Sequence, residues 1–168
     1  DSYPYSAISA FALHPLLLNI ETVAGKGNAE VATSLASKQQ QLNKLPQLDY
    51  EEVIKIKIEA IRKLYKLQKT DFKDDLKYRT FFEFNRHWLE PYAAFSYLRD
   101  KYKTADFTAW KTNAVYDESE IQKLVSPLQK HYDEIAVHYF TQYHLHLQLK
   151  AATEYAHKNG IIIKGDIP

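Results

Sequence analysis

Residues 138–168 read HYFTQYHLHLQLKAATEYAHKNGIIIKGDIP, and the reading of this stretch decides the fold. Its first part continues a helical pattern that opens at Leu128. Ile135, His138, Tyr139, Gln142, Leu145, Leu149 and Ala152 fall close to one stripe at helical spacing. Gly160 closes the pattern, because glycine takes the left-handed conformation of a helix C-terminus without a Cβ clash. Beyond it Ile161, Ile162 and Ile163 are β-branched and consecutive, which suits a strand buried on both faces, as in a parallel sheet. A strand end that delivers Gly165 and Asp166 has the geometry of an α/β binding site: Gly admits a ligand close to the backbone and Asp offers acceptors to hydroxyls. The plainer alternative is a tight turn after the strand. The stretch therefore predicts a long helix over 128–159, a turn and a buried strand.

Working outward, the clearest other helix covers 49–69. Asp49 is a good N-cap, Glu51 and Glu52 occupy the first turn where the macrodipole favours acids, and Val53, Ile54, Ile58, Ile61, Leu64 and Tyr65 recur at helical spacing. A helix over 29–42 ends before Pro46. Asp71 or Asp74 is placed to cap the next helix, whose apolar side is Phe72, Leu76, Phe81, Phe82 and Phe84. Pro91 suits the first turn of a further helix carrying Tyr92, Phe95, Tyr97 and Leu98 inward. Residues 106–113 connect, 117–125 form a short helix, and Pro127 resets the chain. Residues 1–9 read as a loop, with Pro4 holding Tyr3 extended. PLLLNI, at 15–20, reads as a short strand. There is no internal repeat.

The chain has 168 residues, the size of about one domain. With 22 basic and 21 acidic side chains its net charge is +1, which argues against nucleic acid as a main partner, since phosphate binding calls for a basic surplus. Cys is absent, so thiolate chemistry, thiolate metal sites and disulfides are excluded, and a reducing compartment fits. No apolar run reaches the roughly 20 residues of a membrane span. The unusual feature is 13 Tyr, 8 Phe and 2 Trp, a bias that suits a tight helical core and also a surface that stacks on sugar rings or on a partner.

Candidate chemistry is sparse. His138, His144 and His146 lie within nine residues, but metal ligands on one helix face need spacings of three or four, and His144 and His146 point about 200° apart. No metal site and no cofactor is predicted. Paired carboxylates that cleave glycosidic bonds stand about 5–9 Å apart. Asp74 with Asp75, or Asp117 with Glu118 and Glu120, qualify only by count, and they sit at expected helix N-termini where acids belong for dipole reasons. No nucleophile-elbow, P-loop or dinucleotide motif occurs.

Both ends carry a resemblance. DSYPYSAISAFALHP, at 1–15, is similar to a segment of the amylomaltase-type 4-alpha-glucanotransferases, glycoside hydrolase family 77, that commonly runs D-S-P-Y, then S-A-F-A and N-P. Asp1, Ser2, Pro4 and Tyr5 match its first part, and Ser9, Ala10, Phe11, Ala12 and Pro15 its second. Tyr3 is an extra residue, and His14 stands where many members have Asn; both departures resemble the cytosolic disproportionating-enzyme branch. LDYEEV at 48–53, WLEPYAAF at 88–95 and the stretch at 138–168 follow in the family's order.

The resemblance implies a mainly α chain: a helical subdomain inserted in a TIM (β/α)8 barrel, with short barrel-strand pieces at the two ends. Residues 1–20 would be a barrel-edge loop and short strand, 21–160 the helical insertion, and 161–168 the start of the next barrel strand. It implies a part of an enzyme that transfers alpha-1,4-glucan units such as maltose and maltodextrin by a retaining double displacement, in the cytoplasm. Tyr5 would contact the glucan near the scissile bond and Asp166 would line the sugar cleft, with Ser2, Ser6 and Gln142 as weaker substrate contacts. The nucleophilic Asp and the acid/base Glu are expected beyond Pro168, so the fragment alone would be inactive.

The competing expectation is a non-catalytic helical module whose aromatic excess serves a protein partner and which exposes an apolar patch on its helices. A third, helical nucleic-acid binding, is disfavoured by charge. Either way, an unpartnered apolar strand at 161–163 would pair with another copy or fold back on 15–20.

Overall fold

A computed structural model describes residues 7–165. In chain order it contains a 3-10 turn at Pro15–Leu17, α1 (Ile20–Ala24), α2 (Ala29–Thr33), α3 (Ala36–Leu42), α4 (Tyr50–Asp74), α5 (Leu76–Tyr102), a second 3-10 turn at Phe107–Ala109, α6 (Glu118–Leu124) and α7 (Tyr132–Lys158). No strand, sheet or barrel piece occurs among the described residues. That overturns the expected barrel-strand ends. PLLLNI instead makes the first 3-10 turn and enters α1 behind Asn19, whose side chain caps Thr22 N–H at 2.8 Å. Residues 161–163 are irregular, and Ile162 is 88% exposed. The physical reason is that a strand buried on both faces exists only between neighbouring strands, and none is present here. The run therefore does not fold back on 15–20.

Helix ends follow local chemistry. Asp49 Oδ1 accepts from Glu52 N–H at 2.9 Å and opens α4. Asp117 Oδ1 accepts from Glu120 N–H at 3.0 Å and opens α6. Asp75, rather than Asp71 or Asp74, is the joint between α4 and α5. It closes one helix in an extended conformation and caps the next through Lys77 N–H at 2.8 Å, while its other oxygen accepts from Tyr143 Oη on α7 at 2.9 Å. At the far end Gly160, at φ +72°, makes a Schellman closure: Ile161 N–H donates to the Ala156 carbonyl at 2.9 Å and Gly160 N–H to that of His157 at 3.0 Å.

Pro91 lies inside α5 instead of opening a helix. A mid-helix proline costs about 3 kcal/mol, through its missing N–H and a clash with the preceding turn. The cost is offset because the residues around it, Leu89, Ala93 and Ala94, are fully buried, and Tyr92 beside it meets His138 of α7. A single continuous helix buries them together.

The core is largely aromatic. Phe72 packs on Tyr78 with ring centres 3.8 Å apart and edge-on to Phe140 at 5.1 Å, which in turn meets Tyr65 at 5.7 Å. Such pairs add about 0.5–1.5 kcal/mol each beyond area burial. Polar ties set the helix order. Asp133 on α7 accepts from Lys69 Nζ at 2.6 Å and Tyr65 Oη at 2.9 Å on α4. The buried Glu90 on α5 accepts from Arg86 Nε at 2.9 Å and from Gln122 Nε2 on α6 at 2.8 Å. The last third of α7 leaves this core, and Leu149 and Tyr155 are exposed.

Candidate functional site

The segment 13–19 is held flat against α4 and α7 by side chains that bond its backbone. Leu13 N–H donates to Gln142 Oε1 at 2.9 Å, and Gln142 Nε2 donates to the Leu13 carbonyl at 2.8 Å. One turn and a half further along α7 the same pairing recurs: Asn19 N–H donates to Gln148 Oε1 at 2.9 Å and Gln148 Nε2 to the Asn19 carbonyl at 3.1 Å. Each glutamine amide thus serves a peptide group as a neighbouring strand would. The spacing works because the segment is not extended. Six helical residues rise about 9 Å, whereas six extended residues would span about 20 Å. The 3-10 turn at Pro15–Leu17 shortens the path between Leu13 and Asn19.

From α4, Lys57 Nζ donates to the carbonyls of Leu16 and Leu18, the latter at 2.9 Å. Burial holds its ammonium pKa below the ordinary lysine value. His14 Nδ1 accepts from Leu16 N–H at 3.1 Å and caps the turn.

Beneath this segment lies a cavity of about 150 Å³, reached by Ile8, Ser9, Leu13, Arg62, Asp100 and His138, among others. Asp100 is the carboxylate on its wall, and it is shared by two guanidiniums. Arg99 Nη2 donates to Oδ1 at 3.0 Å and Arg62 Nη2 to Oδ2 at 3.3 Å. Loss of water pushes the His138 imidazole down to about 4, so it is neutral near pH 7 and close to two cations. The same burial holds His14 below its ordinary value. The cavity is lined mainly by apolar groups, and among the described residues no carboxylate pair stands on its wall, so it offers a neutral imidazole but not the acid and base of glycosidic cleavage.

The sequence-predicted site residues divide by position. Ser2, Tyr5, Ser6 and Asp166 lie outside the described residues. Gln142 is 2% exposed, with both ends of its amide engaged by Leu13 and Nε2 also 3.4 Å from Tyr92 Oη. The candidate carboxylates take structural partners: Asp74 meets Arg79 at 2.7 Å, Asp75 and Asp117 cap helices, and Glu120 meets Lys123 at 2.7 Å. His144 lies edge-on to Phe140 at 4.3 Å and His146 packs on Phe81 at 5.0 Å. Among the described residues no three His, Asp or Glu side chains gather as metal ligands. No described helix is long and apolar enough to cross a membrane.

Sequence reasoning missed Gln148 and Lys57. The visible signal was slight: a glutamine on the apolar stripe of a long helix, at 142, already says that some polar group meets it in the core.

The comparisons with known proteins extend over the whole chain. A family profile described as 4-alpha-glucanotransferase, glycoside hydrolase family 77, matches residues 1–168. The chain is 39% identical to 4-alpha-glucanotransferase DPE2 of Oryza sativa subsp. japonica, covering all of this chain and 18% of that protein. It is 30% identical to a 4-alpha-glucanotransferase of Chlamydia muridarum over 99% of this chain and 31% of the relative. A Clostridium butyricum 4-alpha-glucanotransferase is 29% identical over 98% of this chain and 33% of its own length. The chain thus spans between about a fifth and a third of these relatives. No solved structure matches it. With the profile matched from end to end, the chain belongs to the 4-alpha-glucanotransferase family, glycoside hydrolase family 77.

Proposed function

We propose that these residues form the glucan-binding lip and its helical support in a cytoplasmic enzyme that moves alpha-1,4-glucan units between maltose and maltodextrin chains. Family membership over residues 1–168 carries this reading. Tyr5 contacts the glucan beside the scissile bond, Ser2 and Ser6 bond neighbouring hydroxyls, and Asp166 accepts from sugar hydroxyls across the cleft. Gln142 acts at one remove, holding Leu13 and with it the strand of chain that follows Tyr5. The transfer is a retaining double displacement, with a glycosyl-enzyme formed on an Asp and a Glu serving as acid and then base. Both carboxylates belong to the parent enzyme beyond Pro168, and the 168 residues alone are inactive. The clamped backbone of 13–19 supports the reading, because a substrate contact must be held in place to lower a barrier by positioning.

The test is maltose disproportionation by the full-length enzyme carrying Tyr5→Ala or Asp166→Ala. Each rate should fall about tenfold or more. Rates within about twofold of the parent's would refute the assignment.

A second reading, a helical protein-interaction module, draws on one observation. Leu76, Phe84 and Leu147 form an apolar strip on α5 and α7, with Phe84 81% exposed. With the exposed isoleucines at 161–163, it would let the isolated chain self-associate. Sedimentation of the 168-residue chain distinguishes the two readings: Phe84→Asp shifts it toward monomer only if the strip is an interface.

A further inference from the structure

A second concave surface adjoins the segment that follows Tyr5. Ile8 and Ser9 form one edge, Trp88 and Phe95 on α5 the floor, and Phe107, Trp110 and Tyr116 the opposite wall, enclosing about 420 Å³. Its chemistry is unlike that of the rest of the surface. A quarter of the chain is charged, yet no Asp, Glu, Lys or Arg lines this groove. Its polar side chains are hydroxyl, amide and imidazole functions, among them Ser9, Asn113, Tyr116 and His87. The wall is also built to stay put. The indole N–H of Trp88 donates to Asn85 Oδ1 at 2.9 Å and that of Trp110 to the Thr104 carbonyl at 3.0 Å, so both indoles are fixed by their own hydrogen bonds. Trp110 lies between Phe95 at 5.3 Å and Tyr102 at 5.9 Å. The loop beyond α5 is tied by Asp106 to Thr108 N–H at 3.0 Å and by Tyr102 Oη to Thr112 Oγ1 at 2.9 Å. Outward from this frame stand Phe107, 51% exposed, and Tyr116, 66% exposed.

We infer that this groove is a second carbohydrate-contact site, which takes a distal part of a long alpha-glucan chain on Phe107 and Tyr116. An uncharged aromatic trough with hydroxyl and amide edges selects a neutral ligand with apolar ring faces and a polar rim, which describes a glucose unit. Phosphorylated and nucleotide ligands find no cation there. The groove's edge begins at Ile8, three residues along the chain from Tyr5. The inference rests on the glucan reading of the lip at Tyr5, and the two fail separately.

The experiment compares Michaelis constants of the full-length enzyme for maltoheptaose and for maltose. In Phe107→Ala/Tyr116→Ala the ratio of the maltoheptaose constant to the maltose constant rises about tenfold, because only the longer chain reaches the groove. Tyr116→Phe, which keeps the ring, holds the ratio near that of the parent. An unchanged ratio in the double variant overturns the site. So does an equal fall in kcat on both substrates at a fixed ratio, which marks the aromatics as structural supports. Failure of the lip reading shows differently, as a Tyr5→Ala enzyme with undiminished maltose turnover.

Discussion

Replacing Gln142 by Ala removes both hydrogen bonds that hold Leu13, and the structure sets the size of the effect. Gln142 is buried and Leu13 half-buried, so water does not freely replace the lost amide. A donor or acceptor stranded in such a place costs about 1–3 kcal/mol, and two are stranded here, which puts the loss at about 3 kcal/mol. Gln148→Ala breaks the same pair of bonds to Asn19, but at an exposed backbone that water can serve, and costs about 0.5 kcal/mol. The contrast isolates burial, since the bonding geometry is matched. Gln142→Glu sharpens it. A carboxylate still accepts from Leu13 N–H but presents an oxygen, instead of a donor, to the Leu13 carbonyl. Protonation restores the donor, so the folded pKa of the introduced acid lies above its unfolded value. The deficit relative to the parent chain then shrinks as pH falls toward the ordinary glutamate range. Equilibrium denaturation of the 168-residue chain, followed by helical circular dichroism, measures all three. Equal losses at 142 and 148, or a Gln142→Glu deficit that is flat with pH, would refute the reasoning.

Two further outcomes follow from buried groups. The Tyr139 hydroxyl is buried without a partner among the described residues, so Tyr139→Phe should raise stability by about 1 kcal/mol in the same denaturation assay, and a loss of that size would contradict its unpaired state. Burial lowers both His138 and His144 from the ordinary 6.5 to about 4, against weaker opposing pulls from Asp100 and Asp75. The unfolded chain therefore binds more protons than the folded one between these values. Stability is fully present above pH 6.5 and falls as pH drops toward 4, at up to about 1.4 kcal/mol per pH unit for each histidine. A flat stability profile over that window would show that the imidazoles are solvated.

Helix starts were legible where a side chain and its target lie within one turn. Asp49 was legible as a cap, Asp117 as an acid at a helix N-terminus, and Gly160 as the close of the last helix, because each depends on its own neighbours. Asp75 was passed over for Asp71 and Asp74, although all three are aspartates in one stretch; Tyr143, 68 residues away, supplies its second bond. Pro91 was misread for the same reason. Its local preference is to open a helix, and the burial of Leu89, Ala93 and Ala94 on either side keeps α5 continuous through it. The isoleucines at 161–163 carry a strong strand preference, but a preference cannot make a strand without a neighbour to pair with. At the candidate site, the polarity of Gln142 was visible and its partner was not. A buried amide can serve a ligand or the backbone, and Leu13, 129 residues away, could be found only in the folded chain. The aromatic excess divided as well. Phe72, Tyr78 and Phe140 went to the core, while Phe107 and Tyr116 stand open to solvent.

The central claim is that this helical unit presents its leading segment to a glucan. Hydrogen–deuterium exchange of the full-length enzyme, with and without maltoheptaose, tests it most directly. The account predicts slower exchange in peptides covering residues 1–13 when the glucan is bound, with no change over the exposed last third of α7. Unchanged exchange over 1–13 while other parts of the enzyme become protected would contradict it.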